Sequence, residues 1–164
     1  MKNLIEMYIK AKDCNKPVLM KKVFNNNAVL QMIVKSDNIS FPSNVQGEEN
    51  ITNTLVKDFS NKFENVYTIC IEDSIKIENN TLTCHWLVTM SDKANTEIKM
   101  GYGEYIWTFK EDKVSSLVIQ IDEMNILEIS RLDEIMEEVN SLSYPWCKKE
   151  EVNLKLEGLI NHKF

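Results

Sequence analysis

Chemistry in this chain has few places to come from. His85 is the only histidine in the central part of the sequence, the other being His162. An imidazole titrates near neutral pH, so residue type alone picks out His85 as the acid–base candidate. Around it Cys84, Trp86, Val88 and Met90 fall on one parity, and Thr83, His85 and Leu87 on the other. In a strand the two parities face opposite ways, and the more apolar one faces the core. That places His85 on the outer face, whereas a slip of one residue would bring it inside. The same alternation recurs in Tyr105, Trp107 and Phe109, and again in Leu117, Ile119 and Ile121. With Trp86, these side chains would either line a concavity for a flat apolar molecule or simply fill the core. Met32 and Met90 would be pliable pocket walls or gap fillers.

Several classes of chemistry are excluded. Cys14, Cys70, Cys84 and Cys147 form no C-x-x-C pair, and two histidines do not complete a close-set group of soft ligands. No metal is expected, the thiols read as free and mostly buried, and no cofactor is implied. There is no glycine-rich phosphate loop and no nucleophile elbow. The net charge is −6, and the densest basic runs are Lys21-Lys22 and Lys148-Lys149. Nucleic-acid binders need a clustered basic face, so no nucleic acid is expected. No apolar stretch approaches the length that spans a bilayer, and residues 1–12 lack the apolar core of a secretory signal. The expected setting is cytoplasmic, away from membranes.

The elements that must position these residues follow from periodicity. At 164 residues the chain suits one domain with a real core. Leu4, Ile5, Tyr8, Ile9 and Ala11 form one helical stripe over residues 3–14. Pro17 suits the first turn of a second short helix whose inner face is Leu19, Val23 and Phe24. The asparagines at 25–27 then predict a turn, residues 28–34 a strand, and residues 36–47 a loop with a short strand near 39–41. From Gly47, the fourfold spacing of Ile51, Leu55, Phe59 and Phe63 predicts a helix. Alternation then predicts strands over 66–73, 81–90, 98–109 and 114–122, the last two joined as a hairpin. Ser130 and Asp133 have capping-box spacing for a helix carrying Leu132, Met136 and Val139. Tyr144-Pro145-Trp146 breaks it, and residues 152–160 read as a last helix or a strand.

The order and spacing of these parts resemble the nuclear transport factor 2-like superfamily, in its ketosteroid isomerase and SnoaL-like branch. The resemblance rests on Tyr8 to Asn15, on Val23-Phe24 running through the asparagines to Ala28-Val29, and on Gly47-Glu48-Glu49-Asn50-Ile51. The strands ending in Tyr105 to Phe109 and Lys113 to Leu117 match that branch's closing hairpin. The resemblance implies an α+β fold: a cone-shaped, strongly curved, mostly antiparallel sheet with N-terminal helices packed on its concave face. Residues 1–124 would be that domain, and residues 125–164 a helical extension packed on it. It also implies that Tyr8 could donate a hydrogen bond to a ligand oxygen, as the tyrosine at this place does in the isomerase. The isomerase's catalytic aspartate, however, falls here among Leu30, Gln31, Met32 and Ile33, and its second acid near Tyr105. Asp37 is the nearest carboxylate that could replace the base.

The expected function is binding of a small apolar or aromatic molecule in the cone, touching Tyr8, Met32, Trp86, Tyr105, Trp107, Phe109, Leu117 and Ile119. An alternative is an isomerase, dehydratase or cyclase using Tyr8 with Asp37 or His85 as the acid–base group. Another is a homodimeric interaction module, joined through the outer sheet face and holding no ligand.

Overall fold

Alternation in the second half of the chain becomes a long meander in the computed structural model, which describes Met1–Phe164. Strands β5 (Thr81–Asp92), β6 (Glu97–Lys110) and β7 (Lys113–Glu128) pair antiparallel in sequence order. They follow β1 (Phe24–Val34), β2 (Asn44–Gln46), β3 (Phe63–Ile71) and β4 (Lys76–Glu78). With β8 (Trp146–Cys147) they make an eight-stranded sheet ordered β2-β1-β7-β6-β5-β3-β8, with β4 beside β5. Only the β1–β7 and β3–β8 pairs are parallel.

Helix α1 (Lys2–Asp13) buries Ile5, Tyr8, Ile9 and Ala11 on the predicted stripe, and Lys12 with them. A 3-10 turn at Pro17–Leu19 leads into the short α2 (Met20–Val23). The asparagines expected as a turn lie inside β1 instead. The β1–β7 register shifts between Phe24 and Val29, so pairing of the flanking apolar residues draws residues 25–27 into a bulge. No strand forms near 39–41; those residues stay in a loop, and β2 pairs with β1 just beyond it.

Gly47 takes φ of +90°, a conformation costly to residues with a Cβ, and so turns the chain directly into a helix. That helix runs through α3 (Glu48–Thr52), a π turn (Asn53–Lys57) and α4 (Asp58–Lys62). It stops one residue before Phe63, which the fourfold spacing had placed inside it but which opens β3. Both Leu55 and Val56 of the π turn are buried.

The sheet bends because its ladders are interrupted, with register shifts between Glu64 and Tyr67 and between Tyr102 and Gly103. At the second shift the strands approach so closely that a Cβ on Gly103 would collide with the Gln120 carbonyl oxygen. The Trp86 ring also lies against that spot. Bending gives the sheet a concave face covered by α1, α2 and the 48–62 helical run. Their side chains share one core with Trp86, Tyr105, Trp107, Leu117 and Ile119.

The convex face has a second core. β7 runs past the boundary expected at 124/125, and a 3-10 turn (Ile129–Arg131) follows it into α5 (Leu132–Asn140). The Ser130–Asp133 capping box does not form; Arg131 pairs through both Nε and Nη2 with Glu134. After the break at Tyr144 and Pro145, β8 pairs with β3 and α6 (Lys149–Lys155) completes the tail, with residues 152–155 helical. Ile135, Val139, Val152 and Leu156 pack against Ile69, Ile71, Leu87, Ile98 and Met100 of the outer sheet face. The part of that face expected to be free for a dimer contact is therefore occupied over β3, β5 and one end of β6. The uncovered remainder carries Val29 and Ile33, each more than a third exposed.

Because Ile135 is fully buried in this second core, Ile135→Ala should cost about 2–5 kcal/mol in urea unfolding. Leu154→Ala, at a side chain that is 72% exposed, should stay within about 0.5 kcal/mol.

His162 stacks on Tyr102 with ring centroids 3.9 Å apart. Burial and the nearby His85 hold its pKa below the usual imidazole value. A depressed histidine takes up protons more readily unfolded than folded, so its contribution to stability is intact above about pH 6.5. It is lost as pH falls from that value through the lower folded one. The Phe164 amide donates to Asn153 Oδ1 at 3.0 Å, and its protection against exchange, taken relative to the intrinsic rate at each pH, should fall over that interval. His162→Phe should flatten the response.

Candidate functional site

Most of the cone is filled by its own side chains. Trp107, fully buried, packs edge-on against Tyr8 at 5.1 Å and beside Phe24 at 6.3 Å. Phe109 and Leu117 are buried at the same end. These three close the narrow end of the cone and do not line open space. Toward the wide end a cavity of about 40 Å³ persists, and thirteen of its fourteen lining residues are hydrophobic. That is room for about three water-sized groups.

The cavity brings together Tyr8, Met32, Trp86, Tyr105 and Ile119 from the sequence-derived set. Ile39 and Phe41 from the loop after β1, with Leu55 and Phe59 from the helical run, close its wide side. Ile39, Phe41 and Phe59 also wall an outer groove of about 420 Å³, which holds Asp58, Lys62 and Lys99 as well. The cavity and the groove are thus separated by three apolar side chains. Met32, Met90 and Met124 supply the most pliable parts of the inner wall.

The charged part of the site was not foreseen from the sequence. Lys12 lines the cavity, is only 7% exposed, and ends the same helix that carries Tyr8. Its Nζ donates to Asp13 Oδ1 at 3.0 Å and to Thr68 Oγ1 at 2.6 Å, and lies 4.8 Å from the centre of the Phe59 ring. Asp13 Oδ1 also accepts from Thr68 Oγ1, at 2.8 Å. Its Oδ2 accepts from the Thr68 backbone N–H at 2.7 Å and from the Tyr144 hydroxyl at 3.0 Å. Four donors occupy the four lone-pair sites of one carboxylate, which leaves Asp13 none for a substrate proton. The available signal was spacing: Lys12 stands four residues after Tyr8, on the same face of the helix.

Tyr8 and Tyr105 face each other with ring centroids 6.1 Å apart, and Trp86 stacks on Tyr105 at 5.3 Å. Burial pushes both phenols well above their usual range, and it does the same to the Cys70 thiol beneath them. All three stay protonated at neutral pH. The indole Nε1 of Trp86 is buried without a hydrogen-bond partner.

Neither expected acid–base residue reaches the cavity. Asp37 is exposed in the turn after β1. His85 points outward opposite Glu104, on the parity that alternation gave it, and is exposed. Its backbone N–H is bound by Ser74 Oγ at 2.8 Å.

No protein-family model and no curated protein matches the chain. Solved structures do. A protein of ketosteroid isomerase-like fold from Catenulispora acidiphila, in complex with trimethylamine, superposes with a TM-score of 0.57 at 11% identity. The match covers 70% of this chain and 82% of that one. An LEH-like epoxide hydrolase from M. tuberculosis gives 0.55 at 7% identity, over 73% and 80% of the two chains. A nuclear transport factor 2-like protein from Burkholderia xenovorans gives 0.55 at 12%, over 79% and 92%. The architecture is the nuclear transport factor 2-like cone.

Since the Lys12 and Asp13 side chains are 8% and 2% exposed, breaking this pair strands a buried charge. Lys12→Met should cost about 3–5 kcal/mol in urea unfolding. Lys2→Met, which breaks the solvent-exposed pair with Glu72, should cost about 1 kcal/mol or less.

Proposed function

We propose that this nuclear transport factor 2-like cone binds a small, largely apolar molecule and performs no chemistry on it. The observation that carries the reading is the space left in the core. Protein interiors pack close to crystal density, yet here an apolar cavity survives beside a π turn, a conformation frequent at functional sites. It also adjoins an outer groove through which a ligand would arrive. A neighbour of the same fold was solved in complex with a small molecule, trimethylamine.

Binding is favoured over turnover because the cavity offers no free base: Asp13 is saturated, Asp37 and His85 lie outside, and both phenols are protonated. Of the sequence-derived contacts, Tyr8, Met32, Trp86, Tyr105 and Ile119 would touch the ligand. Trp107, Phe109 and Leu117 would hold the wall behind it. All four cysteines are unpaired, which suits the reducing cytoplasm. A homodimer through the outer face would be confined to the strip around Val29 and Ile33.

Xenon tests the cavity without assuming a ligand. Under xenon pressure the methyl resonances of Met32, Met90 and Met124 should shift. Those of Met20 and Met100, fully buried elsewhere, should not. Ile119→Phe, which fills the space, should abolish the shifts, and a wild-type protein indifferent to xenon would sink the reading. A fitting ligand at a hundred times its Kd should then stabilise the fold by about 2.7 kcal/mol in thermal unfolding.

A further inference from the structure

The polar atoms around the cavity are unbalanced. Lys12 uses two of its three N–H donors on Asp13 and Thr68, and the third has no oxygen acceptor, only the Phe59 ring face. Trp86 Nε1–H, on a side chain 97% buried, has no partner at all. The hydroxyls of Tyr8 and Tyr105 are donors as well as acceptors. On the acceptor side stand only the two phenol oxygens, which can serve each other's hydroxyls, and weak methionine thioethers, because both oxygens of Asp13 are already filled. An unmade hydrogen bond costs most where water is excluded, so the lining is short of acceptors.

Charge narrows the choice further. Lys12 and Asp13 form a neutral pair inside a low-dielectric wall. A carboxylate entering beside Lys12 would also face Asp13, and an ammonium would meet Lys12 directly. Either would leave an uncompensated charge in an apolar enclosure, which costs more than one hydrogen bond returns.

We propose that the ligand is an uncharged molecule with an exposed oxygen acceptor, a carbonyl or ether, which takes the free N–H of Lys12. This rests on the binding reading above and names its ligand class. The acceptor end enters the cavity, and the rest of the molecule passes Ile39, Phe41 and Phe59 into the groove. Lys12 is then the specificity-determining residue, with Asp13 and Thr68 holding it in place. Trp86 lines the same cavity, and its partnerless N–H is buried within that wall.

The test uses four probes on one ring: cyclopentanone, methylenecyclopentane, cyclopentanecarboxylate and cyclopentylammonium. Binding is followed by NMR titration of the full chain, reading the Met methyls and the Trp86 indole N–H. The ketone should bind about tenfold more tightly than the isosteric alkene, the value of one added hydrogen bond. It alone should shift the indole N–H, and both ions should bind more weakly than the alkene. In Lys12→Met combined with Asp13→Asn, which leaves no stranded charge, the ketone should fall to the alkene's affinity. If that variant does not fold, the wild-type ranking and the indole shift decide. Equal binding of ketone and alkene would overturn the acceptor inference and leave the cavity reading standing. Tightest binding by either ion would overturn neutrality. Failure of all four to shift the cavity methyls would remove both readings together.

Discussion

The carboxylate of Asp13 joins parts of the chain that otherwise meet only through apolar packing. Its two oxygens collect donors from the end of α1, from Thr68 in β3 and from Tyr144 in the turn between α5 and β8. Those segments belong to different layers: α1 covers the concave face, β3 is in the sheet, and the α5–β8 turn leads into the convex cover. A buried charge persists only when it is paired and fully hydrogen-bonded. Each of the three segments must therefore sit within about 3 Å of one small group. The requirement fixes the end of α1 against the sheet, and with it the places of Tyr8 and Lys12 in the cavity wall.

The rest of the concave side is an answer to curvature. A sheet bent by register shifts encloses a volume that narrows toward one end. At the narrow end the side chains of Trp107, Phe109, Leu117 and Phe24 fill it. At the wide end the wall is a loop and a helix broken by a π turn. There the methionines and Phe59 do not meet completely, and the cavity is what remains. Its chemistry is set by one helix turn, which supplies a phenol and an ammonium, while the sheet supplies aromatic rings.

The convex side follows a different logic. A sheet buried on one face only would leave Ile69, Ile71, Leu87, Ile98 and Met100 in water. The tail removes that surface through α5, β8 and α6. Covering the face with its own chain buries those residues without a second copy, and the uncovered strip carries Val29 and Ile33. The Tyr102–His162 stack lies at the border between the covered and uncovered parts, with the Tyr102 hydroxyl donating to Glu123 at 2.6 Å.

Much of this was legible in the residues. Period-two alternation located β5, β6 and β7 and assigned Trp86, Tyr105 and Ile119 inward and His85 outward. A strand offers only two faces, and the apolar one must be buried. Fourfold spacing found the helix from Gly47 but carried it one residue too far, since periodicity says nothing about where a strand claims the next residue. The bulged asparagines of β1 and the two-residue β8 were not legible, because long-range pairing decides them and overrides local turn preference.

Spacing and alternation in the sequence determined an α+β order of elements with an aromatic interior. The resemblance implied the cone and the lack of an acid at the isomerase base's place. Only the tertiary structure decided which of those inward residues face open space, and it brought Lys12, Asp13, Thr68 and Tyr144 into one network. Facing is a local property of a strand or helix. Cavity volume and the partners of a buried charge depend on how distant segments pack, and no spacing along the chain encodes that directly.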